Sequence, residues 1–118
     1  MDISTDPLLQ EFFNRNIKNP TKTKYQTILT HYCNNTGLSP TELIEQAEED
    51  EDNRVRLRKR RIKKHVENHV RYLQIKDFSF NYIQISLTAI RTFYHHYDIQ
   101  IPRVSLGELK EDGRPSTD

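Results

Sequence analysis

Glycine is scarce in this chain, three residues in 118, and only five prolines accompany it. So few turn formers exclude a sandwich or barrel of many short strands. A single cysteine, Cys33, excludes an internal disulfide and points to a reducing, intracellular compartment. No apolar run is long enough to span a bilayer, and no signal-peptide pattern is present. A soluble cytoplasmic protein with no membrane partner is therefore expected. Charge of one sign is lacking too, since 18 Lys and Arg face 17 Asp and Glu for a net charge of +1. A nucleic-acid partner thus has no signature in the bulk composition and must be argued from where the charges sit. A Gly-rich phosphate loop, a Cys-x-x-Cys pair and a plausible acid pair are all missing, so no cofactor is expected.

What is present reads as helix. Hydrophobic residues make up 34% of the chain, charged residues 30% and aromatics 9%, with a mean hydropathy of −0.87. That is polar, but aromatic enough for one modest core. Asp6–Pro7 opens a short helix with Leu8, Leu9, Phe12 and Phe13 on its apolar face, ending near Asn16. A second begins at Thr21, carries Tyr25, Ile28, Leu29, Tyr32 and Cys33 at helical spacing, and stops at Gly37. Ser39–Pro40–Thr41–Glu42 is a capping box for a third, with Leu43, Ile44 and Ala47 inward. The acidic run Glu48–Asp52 follows as a solvated helix end or loop. A fourth helix reaches about Gln74 on the stripe Ile62, Val66, Val70 and Leu73. Upstream, Arg58 and Lys59 hold the expected inward positions, so the helix starts near them or their aliphatic stems cover the core edge. A fifth runs from about Ser79 to Tyr97 on Ile83, Leu87, Ile90, Tyr94 and Tyr97, flanked by Phe80 and Phe93. The prediction is all-α: a compact bundle of four to five short helices over residues 1–102, with 103–118 as a linker.

The candidate binding residues lie at helix starts and in one basic run. Thr21, Lys22 and Lys24 stand where free backbone N–H groups and the positive helix dipole favour a phosphate. Eight of the eleven residues from Arg54 to Lys64 are basic. Arg58, Lys59 and Arg61 are the residues chosen from this run, because several cations set against a duplex release counterions. Its competing explanation is pairing with the acidic run just before it. At the fifth helix start, Asn81 and Gln84 have the amides that read adenine edges. Ordinary capping by Ser79 with exposed neighbours is the stronger local explanation of that start, and Ile85 lies off the apolar stripe.

Other constellations point elsewhere. His65 and His69 are four apart, like a metal pair, but Glu67 is misplaced for a His-Glu-x-x-His site and no third ligand is evident. Cys33 sits on an apolar face and reads as core. Arg91, His95, His96 and Tyr97 crowd onto one helix, with Tyr94 and Tyr97 on its buried stripe.

Taken in order, Asp6–Pro7, Thr21 to Tyr25, Gly37 to Ile44, Arg58 to Leu73, Thr88 to Tyr94 and Asp98 to Pro102 resemble the N-terminal DNA-clamping domain of tyrosine recombinases (phage-type integrases), especially the archaeal branch. No single segment is specific; the ordered set is. The resemblance implies a SAM-like helical fold that packs on one face of double-stranded DNA while a catalytic domain of the same longer chain closes on the other. It also implies other recombinase protomers on the DNA. The contacts it implies fall on Thr21, Lys22 and Lys24, and on Asn81 and Gln84. The chain departs from the family at Tyr82, where Thr is usual, and at Gln84–Ile85, where basic residues are common. The first helix start is therefore expected to carry more of the grip. A His-x-x-Arg is missing, so the chain is expected to hold DNA without cutting it. The alternative is a helical protein-interaction module that assembles through its acidic and basic blocks. A weaker third reading is a metal-dependent enzyme using His65 and His69.

Overall fold

Asp6 ties two helix starts together with one carboxylate. The structure, a computed structural model, describes residues 2–14 and 18–104. In α1 (Pro7–Phe13), Asp6 accepts from the backbone N–H groups of Leu8 at 2.9 Å and Leu9 at 3.2 Å. The same carboxylate accepts from the Thr41 N–H at 3.1 Å and its hydroxyl at 2.9 Å, at the start of α3 (Pro40–Asp52). The capping box on α3 forms as expected: Ser39 Oγ accepts from the Glu42 N–H, and Glu42 Oε1 from the Ser39 N–H. Ser79 likewise caps α5 (Phe80–His96) by accepting from the Tyr82 N–H.

Two starts differ from expectation. The second helix, α2 (Asn19–Thr36), begins two residues before Thr21 with Lys18 as its cap, because Pro20 is tolerated inside a first turn. The fourth, α4 (Arg61–Ile75), begins later than Arg58. Leu57–Lys59 forms a single 3-10 turn instead, with Arg58 and Lys59 exposed rather than inward. The reason is tertiary: the Asp50 carboxylate, from the end of α3, accepts the Arg61 N–H at 2.9 Å and sets the first residue of α4.

Helix ends show how a chain with little glycine turns. Gly37 takes the left-handed conformation after α2, with φ +76°. After α3, α4 and α5 that role falls to Arg54, Asp77 and Asp98, with φ of 58°, 66° and 62°. In each case the next N–H bonds back across the helix end: Val55 to the Asp50 carbonyl, Phe78 to Leu73 and Ile99 to Tyr94, all at 3.0 Å.

The predicted stripes are buried as drawn from Ile28 to Cys33, Leu43 to Ala47, Ile62 to Leu73 and Ile83 to Tyr94. Among the described residues there is no strand, and the molecule is an all-α bundle of five helices. α2 packs against both α4 and α5; α1 rests on α3, α3 on α4, and α4 on α5. Corrections fall at the edges. Phe80 is in register with the stripe but, as the first residue of α5, is 42% exposed. Tyr97 is half-buried, its hydroxyl donating to the Leu8 carbonyl and to Glu11. Asp50, placed in a solvated acidic run, is buried. Packing continues past 102, because Val104 is buried as well. The expected end of the first helix near Asn16 and the linker from 105 onward lie outside the described residues. No described helix is long and apolar enough to cross a membrane.

Candidate nucleic-acid interface

The contact of α5 with α2 brings two helix starts that are sixty residues apart in sequence to one open groove of about 520 Å³. From α2 it is lined by Pro20, Thr21, Lys24 and Tyr25. From α5 it is lined by Asn81, Gln84, Ile85 and Thr88, which follow the i, i+3, i+4, i+7 spacing of a single helix face. Four of the eight residues singled out from sequence, Thr21, Lys24, Asn81 and Gln84, therefore share one surface. Ile85 is half-buried and belongs to that surface, so its place off the apolar stripe is explained.

The α2 start is distinctive in charge and in hydrogen bonding. Its cap, Lys18, has no acceptor in its side chain and makes no side-chain cap bond, and no side chain among the described residues bonds to the first-turn N–H groups. Pro20 has no N–H, so the first-turn donors are those of Asn19 and Thr21. The first turns of α2 and α5 contain no acidic residue, and no carboxylate among the described residues lines the groove. Lys24 is exposed and Lys22 is half-buried on the neighbouring face of the same turns, outside the groove lining. Neither lysine is ion-paired among the described residues, where the ion pairs join Arg60 to Glu51 and Arg61 to Glu49 and Asp50. An anion at this start would meet backbone donors, a helix dipole and two ammonium groups together.

The α5 face is uncharged within the groove. The side-chain amides of Asn81 and Gln84 make no hydrogen bond among the described residues, and both residues are exposed. Thr88 has its hydroxyl turned back to the Gln84 carbonyl at 3.0 Å, which leaves its methyl free of polar commitments.

The other three candidates stand apart. Arg58 and Lys59 are exposed on the turn before α4 and do not line the groove. Arg61 is committed within the chain although its side chain stays partly exposed: it reaches Asp50 Oδ1 at 2.7 Å through one guanidinium nitrogen and at 3.1 Å through Nε, and Glu49 Oε1 at 2.7 Å. The hydrogen bond to Asp50 is the main cause that pushes the Arg61 pKa up. Burial raises the Asp50 carboxyl, but the bonds from Arg61 outweigh it and hold the group below the usual carboxylate range. This is the pairing of acidic and basic blocks that competes with DNA contact.

Groups with catalytic or metal-binding types are engaged structurally. His65 Nε2 donates to Gln46 Oε1 at 2.7 Å, while buried His69 takes its bond at Nδ1 from Asn35 Nδ2 at 2.9 Å. No group of three or more metal-ligating side chains forms among the described residues. Burial pushes the Cys33 thiol up to about 12, which removes it as a thiolate nucleophile at neutral pH. Tyr94 is buried with its hydroxyl 3.0 Å from that of Tyr32. Those two rings close the α2–α5 contact and so hold the groove walls in place. Sequence reasoning had no means of pairing Tyr25 with Ile85, or of seeing that Thr21 and Asn81 face one cleft. The only advance sign was that both helix starts carried polar residues beside an apolar stripe. No protein-family model, curated protein or solved structure matches the chain, so its function is read from this geometry and from the order of its motifs.

Proposed function

We propose that this chain is a duplex-DNA-holding domain that works with the catalytic domain of a site-specific tyrosine recombinase and does not itself cleave strands. One observation carries the reading: Thr21, Lys24, Asn81 and Gln84 line a single groove with no carboxylate among the described residues that line it. Phosphates suit the α2 side through its lysines and first-turn N–H groups, and the uncharged amides of α5 suit base edges. The ordered resemblance to recombinase clamp domains supplies the biological setting.

The test is a titration of the chain with a mixed-sequence duplex at low and moderate salt, followed by backbone amide shifts. Shifts should cluster on 19–25 and 81–88, and added salt should weaken them steeply. Replacing Lys22 and Lys24 together by Gln should lower affinity roughly three- to tenfold and flatten the salt dependence, each lost phosphate contact removing about 0.9 from the log–log slope. Shifts that map elsewhere would refute the groove. Silence even at low salt would refute DNA holding by this chain.

Assembly through the charged blocks has less to draw on, because Arg60 and Arg61 already pair with Glu51, Glu49 and Asp50 within the chain. Concentration-dependent association without DNA, seen by sedimentation, would revive it.

A further inference from the structure

The two walls of the groove differ in chemistry. On the α2 wall Lys24 is the cation, beside Thr21 and the first-turn N–H groups. The α5 wall has no charge and alternates two amides with two aliphatic groups: Asn81, Gln84, Ile85 and the Thr88 methyl. Ile85 packs on one side against the core, and its remaining surface lies on this wall beside two amides with no hydrogen bond among the described residues. The major groove of DNA provides a use for both. Adenine presents an acceptor at N7 and a donor at N6, which one side-chain amide meets with its own donor and acceptor together, while the paired thymine presents a C5-methyl. Guanine presents two acceptors and cytosine a donor, best met by a guanidinium and a carboxylate. The α5 wall contains neither. An α-helix with its side chains is about 10–12 Å across, which the major groove, about 12 Å wide, admits.

Resting on the DNA-holding reading above, we propose that α5 enters the major groove and selects A·T pairs. Gln84 and Asn81 bond adenine at N6 and N7, and Ile85 with the Thr88 methyl packs on the thymine methyl. α2 alongside holds the flanking phosphates through Lys24 and its unclaimed N–H groups. Selectivity then resides in α5 and salt-dependent affinity in α2, so the two can be changed separately.

The experiment measures affinity of the 118-residue chain, at one moderate salt concentration, for four duplexes of equal length. These are alternating A·T, alternating G·C, alternating A·U, and alternating inosine·cytosine, which shares its minor groove with A·T and its major groove with G·C. A·T should bind roughly five- to a hundred-fold more tightly than G·C, the range that one amide–adenine pair provides. Inosine·cytosine should behave like G·C, and uracil, which lacks only the methyl, should cost several-fold. Gln84→Ala should reduce the A·T preference. Ile85→Ala should shrink the difference between thymine and uracil, a ratio that is unaffected by any loss of folded protein. Equal affinity for A·T and G·C, or inosine·cytosine binding like A·T, overturns base selection by α5 while leaving DNA holding intact. A G·C preference that vanishes in Lys24→Gln overturns it as well, and moves base reading to α2. Failure to bind any duplex at low salt overturns the parent reading together with it.

Discussion

Packed between the Tyr32 and Tyr72 rings, His69 accepts one hydrogen bond from Asn35 and leaves Nε2 buried with no partner among the described residues. Burial, helped by the nearby His31, lowers its pKa to about 4. A group whose folded pKa lies below its unfolded value of about 6.5 binds fewer protons when folded. Its contribution to stability is therefore complete above about pH 6.5 and is lost as pH falls toward about 4. Urea unfolding should show the chain about 2 kcal/mol less stable near pH 5 than near pH 7.5 on this account. His69→Leu should remove most of that slope, whatever it does to stability at neutral pH. His65, lowered mainly by burial, adds a smaller slope of the same sign. A slope unchanged in His69→Leu would mean that His69 is not the group being titrated. Its helical spacing from His65 suggested a metal pair in sequence. The bonds to Gln46 and Asn35 come from helices that no local pattern relates to α4.

At the scale of the element, helix starts were readable because capping is local chemistry. Asp6, Ser39 and Ser79 each satisfy donors two or three residues ahead, and each was found in place. The α4 start was not readable, because its acceptor arrives from α3 eleven residues earlier. Helix ends divide in the same way. Gly37 was legible, whereas Arg54, Asp77 and Asp98 adopt positive φ because the bonds closing each helix end require it. Arg54 is the bulkiest of the three and has the least intrinsic tolerance of that conformation. Arg54→Gly should therefore stabilise the chain by about 1 kcal/mol, read as a rise in thermal midpoint. A lower midpoint would mean that the side chain repays the backbone strain.

Across the whole molecule, the charge blocks have two different fates. Part of the basic run is structural, since Arg61 neutralises Asp50 where α3 meets α4. Arg61→Gln leaves that buried carboxylate without its cation, and should cost about 2 kcal/mol of folding free energy by urea denaturation. Per folded molecule, duplex affinity should stay within about twofold of the parent, in contrast to the loss expected on neutralising Lys22 and Lys24. A drop in affinity as large as theirs, with stability unchanged, would return Arg61 to the DNA surface. Residues chosen by type and position alone thus separate into groove residues with Lys22 beside them, exposed cations on a turn, and an arginine paired to the buried Asp50.

Composition and periodicity were enough to determine the all-α class, a count of four to five helices and nearly every buried stripe. A residue's helical propensity and the side of the helix on which it falls depend on neighbours within about one turn. The same local range exposed both polar helix starts. Only the tertiary structure decided that these starts share one groove, that Arg61 turns inward to Asp50, and that Ile85 lies on a wall of exposed amides. Each of these is a meeting of side chains from different helices. Such meetings are set by how the buried stripes interlock around Tyr32 and Tyr94, and no window of sequence holds both partners.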